Sequence, residues 1–169
     1  MADPHIQSDL DYLDKLTVIL YRCALTSSAA FMSVIAWEAS FATQAMVIAA
    51  LIAATTVHIY DKRFRLLIVG SGLFAAVWLM MGLWNPLALG AALFTFSALA
   101  IKEYFCFQLK VLMLTPLALA GFWFCQVFGQ DQISIAFSMT GSILLAVAAF
   151  SKWRMPVHFD IGDKSRYQV

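Results

Sequence analysis

The sequence predicts an all-α polytopic transmembrane bundle of about six helices, with both termini cytoplasmic. Three observations predict it. First, 62% of the 169 residues are hydrophobic and only 12% are charged, against about 45–50% and about 25% in an average soluble domain. A soluble chain this short could not bury so much apolar surface. Second, six windows approach the roughly 20 apolar residues that a helix needs to cross a bilayer. Third, all eleven lysines and arginines fall in segments that alternate helices would place on one side.

The windows run in order. The first is 16–37, the second 41–60 and the third 66–84. The fourth, 87–101, is short and can run on through "KEYFCF", with Lys102 snorkelling to the interface. The fifth is 111–128 and the sixth 132–150. They are read as helices because a lone strand in lipid leaves its backbone groups unpaired. Period-two alternation, the mark of a β-barrel, is absent. The connectors "EAS", "NP" and "GQD" are brief, so successive helices are antiparallel neighbours. This divides the chain into a polar N-terminal segment 1–15, a six-helix domain 16–150 and a cytoplasmic tail 151–169.

The basic residues set the orientation. Lys15 and Arg22 lie at the start, Lys62, Arg63 and Arg65 after the second helix, and Lys102 and Lys110 after the fourth. Lys152, Arg154, Lys164 and Arg166 follow the sixth. The three opposite turns hold none, a complete positive-inside bias. The acidic start "MADPHIQSDLDYLDKL" lacks the basic leader of a signal peptide, so the first apolar stretch is expected to stay in the mature protein. Trp37, Trp84, Trp123 and Trp153 are expected near the interfaces.

Small residues at four-residue spacing mark packing faces. They are Ala45, Ala49 and Ala53, then Gly72 and Ala76, then Ser138, Ser142 and Ala146. Pro116 is expected to kink the fifth helix. Cys23, Cys106 and Cys125 are scattered and are read as buried apolar residues, with no disulfide framework.

Chemistry gathers at the basic side. His58 and Asp61 are three apart and share a helical face. Lys62 follows them, and Lys102 and Glu103 close the fourth window. In an extended tail His158 and Asp160 would point the same way. His58, Asp61, Lys62, Lys102, Glu103, His158 and Asp160 are therefore the candidate polar cluster. Two imidazoles and a carboxylate suit a divalent metal, zinc or ferrous iron, with His58, Asp61 and His158 as ligands and Glu103 or Asp160 in reserve. No HExxH or close Cys/His spacing supports it, and the third histidine, His5, lies in the N-terminal segment. The basic residues alternatively attract anionic lipid headgroups, or serve only to orient the chain. Arg22, six residues into the first window, is the intramembrane charge. It is expected to snorkel; the alternative is a partner in the bundle, Glu103 or Asp61. The tail is expected to fold back beneath the helices and carry His158 and Asp160 towards His58.

The stretches "HIYDK", "KEYFCF" and "MPVHFDIGDK" resemble a family of small, uncharacterised bacterial integral membrane proteins, a domain of unknown function. The resemblance covers nearly the whole chain and carries over no catalytic residue. It implies a bacterial inner membrane. Three roles remain open. One is an accessory or scaffold protein with a charged cytoplasmic face, working with lipid, a membrane-protein partner or a second copy. Another is a cytoplasmic-face metal- or ligand-binding enzyme using His58, Asp61, Glu103 and His158. The third is a transporter or channel for a small solute, with Thr55, Thr56, Ser97, Thr115 or Thr140 on its path. Nothing in the sequence reads nucleic acid.

Overall fold

A computed structural model describes residues 9–164 and 167. His5, Arg166 and most of the segment 1–15 lie outside the described residues. Among the described residues the fold is helical throughout: α1 Tyr12–Val34, α2 Ala39–Thr56, α3 Lys62–Met80, α4 Asn85–Phe107, a 3-10 turn Lys110–Leu114, α5 Thr115–Val127, α6 Asp131–Trp153 and α7 His158–Ile161. Six spans are long and apolar enough to cross a membrane, the 3-10 turn and α5 together making the fifth.

Local chemistry fixes the ends. The Asp14 carboxylate accepts the Asp11 N–H at 2.9 Å at the start of α1. Asp61 caps α3, its Oδ1 accepting the Arg63 N–H at 2.7 Å and the Phe64 N–H at 3.3 Å. Proline opens both α4 and α5, where its missing N–H costs nothing. Pro116 therefore starts an α-helix rather than kinking one. The fourth window does run on through "KEYFCF", to Phe107, and Gln108 ends it at φ 57°.

The helices form a ring in which each packs against its neighbours in sequence, α1 closes on α6, and α2 also meets α4 across the middle. Leu25, Met32, Met46, Ala50, Phe96, Leu119, Phe122 and Leu145 fill the centre. Only Ile68, Gly72 and Ala75 of α3 are buried, so α3 lies at the edge. A Cβ on Gly72 would stand 2.7 Å from the Ala54 Cβ, so the glycine sets how closely α2 and α3 approach.

Hydroxyls join the helices where small residues line up. Ser138 and Ser142 of α6 donate to the Met32 and Ala29 carbonyls of α1, and Ser71 meets Thr95 at 2.8 Å between α3 and α4. Ala146, by contrast, is exposed, so that row leaves the interface after Ser142. The outside is a belt of large apolar side chains, among them Leu66, Val77, Leu117, Phe124, Ile143 and Phe150. Such a surface is stable only against lipid or another apolar face. Cys23 and Cys106 sit on it rather than in the core, and Cys125 is half-buried.

Candidate functional site

The polar residues gather where α1, α4 and α6 meet the tail. Glu103 is fully buried. Its Oε1 accepts the Tyr21 hydroxyl at 2.6 Å and the Lys102 ammonium at 2.9 Å. Lys152 Nζ lies 3.0 Å from Glu103 Oε2 and also pairs with Asp160. Asp160 Oδ2 accepts from Arg22 Nε at 2.9 Å and from the same guanidinium's Nη2. Arg22 further donates to the Pro156 carbonyl at 3.3 Å. Glu103 Oε2 and Asp160 Oδ1 are met by Lys152 as ion pairs rather than as aligned hydrogen bonds. Aromatic faces complete the shell: Lys102 lies 5.0 Å from the Tyr21 ring centre and Lys152 5.5 Å from that of Phe107.

The local sequence explains the geometry. α6 runs to Trp153, so Lys152 follows Leu145 and Ala149 on its buried stripe. The chain then turns, and α7, a single helical turn, delivers Asp160 into the cluster. Isolated, each of these ions would be costly in an apolar interior; together they offset one another. Three cations (Arg22, Lys102, Lys152) face two carboxylates (Glu103, Asp160). Among the described residues the cluster carries one positive charge in excess.

Further contacts hold the tail. The Asp163 N–H donates to the Tyr60 hydroxyl at 2.8 Å, and the Tyr167 hydroxyl donates to the Ile161 carbonyl at 2.8 Å. The Tyr60 and Tyr167 rings meet edge-on at 4.9 Å. Lys164 pairs with Asp14 and donates to the Asp9 carbonyl at 2.8 Å. That pairing holds the Lys164 ammonium above its ordinary pKa. Burial pushes the Tyr167 phenol up. Burial, then the nearby Lys102 charge, holds the His58 imidazole below its ordinary value.

Beside the cluster a cavity of about 870 Å³ runs along α4. Gly90, Phe94, Ser97 and Ile101 form its floor; Phe64 and Leu67 of α3 and Pro116, Ala120 and Trp123 of α5 form its walls. Its polar end holds His58, Tyr60, Lys102, Lys152, Asp160 and Tyr167. It is open at the surface, since Phe94, Ile101 and Phe105 stay 42–61% exposed.

The structure thus divides the sequence candidates. It brings together Lys102, Glu103 and Asp160, and adds Arg22. Arg22 does not snorkel: it is 3% exposed, and its partner is Asp160 rather than Glu103 or Asp61. Lys102 likewise turns inward to Glu103. Asp61 is spent on capping α3, Lys62 is exposed, and His58 stands on the cavity wall. His158 is half-buried with its ring 4.8 Å from that of Phe159. The tail is helical at His158 and Asp160, so the two diverge instead of sharing a side.

Among the described residues no three His, Cys, Asp or Glu side chains converge as a metal ligand set, so His58, Asp61 and His158 do not form one. The hydroxyls considered for a solute path turn back on their own helices at Thr55, Thr56, Ser97 and Thr140. Thr115 is buried. Sequence reasoning missed Tyr21 and Lys152. The signal for Lys152 was its place on the buried stripe of α6; ending the helix at residue 150 hid it.

Residues 77–169 match the family described as Uncharacterized integral membrane protein (DUF2301). An uncharacterized protein of Haemophilus influenzae Rd is 42% identical over 173 residues, covering 100% of both chains. No solved structure matches the chain.

Proposed function

Since the chain belongs to the Uncharacterized integral membrane protein family (DUF2301), we propose that it is an accessory or scaffold protein of the bacterial inner membrane. Both termini face the cytoplasm, where the basic residues meet anionic lipid headgroups. The observation that carries this reading is the closed pairing of Arg22, Lys152, Glu103 and Asp160. These four buried charges are taken up by one another. Ions so engaged lock a tail onto a bundle; a general base or a coupling-ion ligand needs a free position. A rigid, charge-locked face suits a protein that works by contact.

Metal analysis of the purified chain tests the reading. Zinc and iron well below one per chain are expected. A stoichiometric metal that is lost on His58→Ala would replace the scaffold with a metal site. Reporter fusions after residue 169 and at Asn85 test the orientation and should report opposite sides.

A further inference from the structure

We propose that the cavity along α4 is a binding site for one anionic phospholipid, with its phosphate at Lys102 and an acyl chain laid along the helix towards Gly90. Two independent observations meet there. The first is shape. From Gly90 to Lys102 the cavity follows twelve residue-to-residue rises of helix, about 18 Å at about 1.5 Å each. That is close to one leaflet of a hydrocarbon core about 30 Å thick. Its volume of about 870 Å³ lies within the range of small-molecule sites, about 300–1,000 Å³. Its side walls are apolar and it opens where lipid would stand.

The second is charge. The five-ion cluster has one cation more than it has carboxylates. All but Arg22 and Glu103 of its members line the cavity's polar end; Lys152 and Asp160 there are buried and paired with each other, while Lys102 is half-buried. Its ammonium has three donors and gives one to Glu103. A phosphate monoanion takes the other donors and brings the cluster to neutrality. A second copy of this chain or a partner's apolar helix would fill the cavity but leave the excess charge. Basic pockets between membrane helices bind anionic headgroups for this reason.

The inference deepens the proposed contact between the basic face and anionic lipid. Its test is made in detergent, where orientation plays no part, so a wrong topology and a wrong site fail separately. Intact chain is mixed with phosphatidylglycerol or phosphatidylcholine of identical chains, and retained lipid is counted by native mass spectrometry. Phosphatidylglycerol should be retained preferentially. Lys102→Gln should lower its retention about five- to tenfold, the scale of one lost lysine contact near or below the surface. Lys110→Gln removes the same charge from an exposed residue outside the cavity and should leave retention unchanged. Ala120→Phe fills the groove without touching the ion cluster and should also expel the lipid. If Lys102→Gln does not fold, Ala120→Phe decides alone. Equal retention of the two lipids would overturn the site, as would equal losses from Lys102→Gln and Lys110→Gln. Displacement by millimolar inorganic phosphate, or a dimer that Ala120→Phe dissolves, would overturn it too.

Discussion

α6 holds α1 in two places, by different physics. In its first half Ser138 and Ser142 donate to the Met32 and Ala29 carbonyls. At its far end, where the Trp153 indole also donates to the Thr26 hydroxyl at 2.9 Å, Lys152 reaches α1 through two carboxylates: Asp160, which holds Arg22, and Glu103, which holds Tyr21. The neutral contacts are local and replaceable, because each hydroxyl can fall back on its own helix, as Ser134 does with Asp131 O at 2.7 Å. The Arg22–Asp160 contact has no second carboxylate to fall back on among the described residues. Remove Asp160 and the Arg22 charge stays buried with only the Pro156 carbonyl to meet it. The difference suggests a division of labour: hydroxyls and small residues bring the helices together, and ions commit the tail to one position.

The largest test of that contrast is Asp160→Ala. Among the described residues it leaves Arg22 and Lys152 with Glu103 as the one remaining carboxylate of the cluster. Breaking a buried pair from one side costs about 3–5 kcal/mol. A large drop in the melting temperature in detergent is expected, with the chain after Trp153 becoming open to protease. A shift no larger than that of an exposed-pair variant, about 1 kcal/mol or less, would show that the tail is not locked by charge.

Much of this architecture was legible in the sequence. Spans and order followed from apolar length, which the bilayer imposes on every helix alike. The site was half legible. Lys102 and Glu103 announced themselves because charges end an apolar run. Arg22 was visible as a charge inside a span, but its partner lay 138 positions away, and helical spacing says nothing at that range. An extended tail would put Asp160 on the same side as His158; the chain instead forms a helical turn there, and Asp160 enters the ion cluster. Asp61 misled because a carboxylate at the start of a helix has a use of its own. The cavity was invisible, as it depends on how far α3 and α5 stand apart across α4.

The neutral half of the comparison predicts less. Ser138→Ala removes the hydrogen bond to Met32. Interhelical hydrogen bonds of this kind average about 0.6 kcal/mol in lipid, with a maximum of about 1.7. A small fall in melting temperature is expected, with the tail still resistant to protease. If Ser138→Ala frees the tail as Asp160→Ala should, the two contacts do not act separately, and the division of labour is wrong.

The smallest expected effect is a pH dependence centred on His58, which stands between the two physics: an uncharged group beside a charged cluster. Burial and then the Lys102 ammonium hold its folded pKa below the ordinary value; Asp160 and Asp14 oppose them, and Lys152 adds to them. The unfolded pKa is about 6.5. Between the folded and unfolded values the unfolded chain binds more protons, so stability rises with pH across that window. Acidifying from neutral to below about 6.5 should therefore lower the melting temperature slightly, down to the folded pKa. His58→Gln should flatten this slope while leaving the tail in place. A steeper slope after the substitution would mean that His58 is not the group that titrates. A slope of opposite sign in the parent chain would mean that a carboxylate holds the imidazole as a cation, and that the ionic end of the bundle reaches further than the Arg22–Asp160 and Lys152–Glu103 pairs.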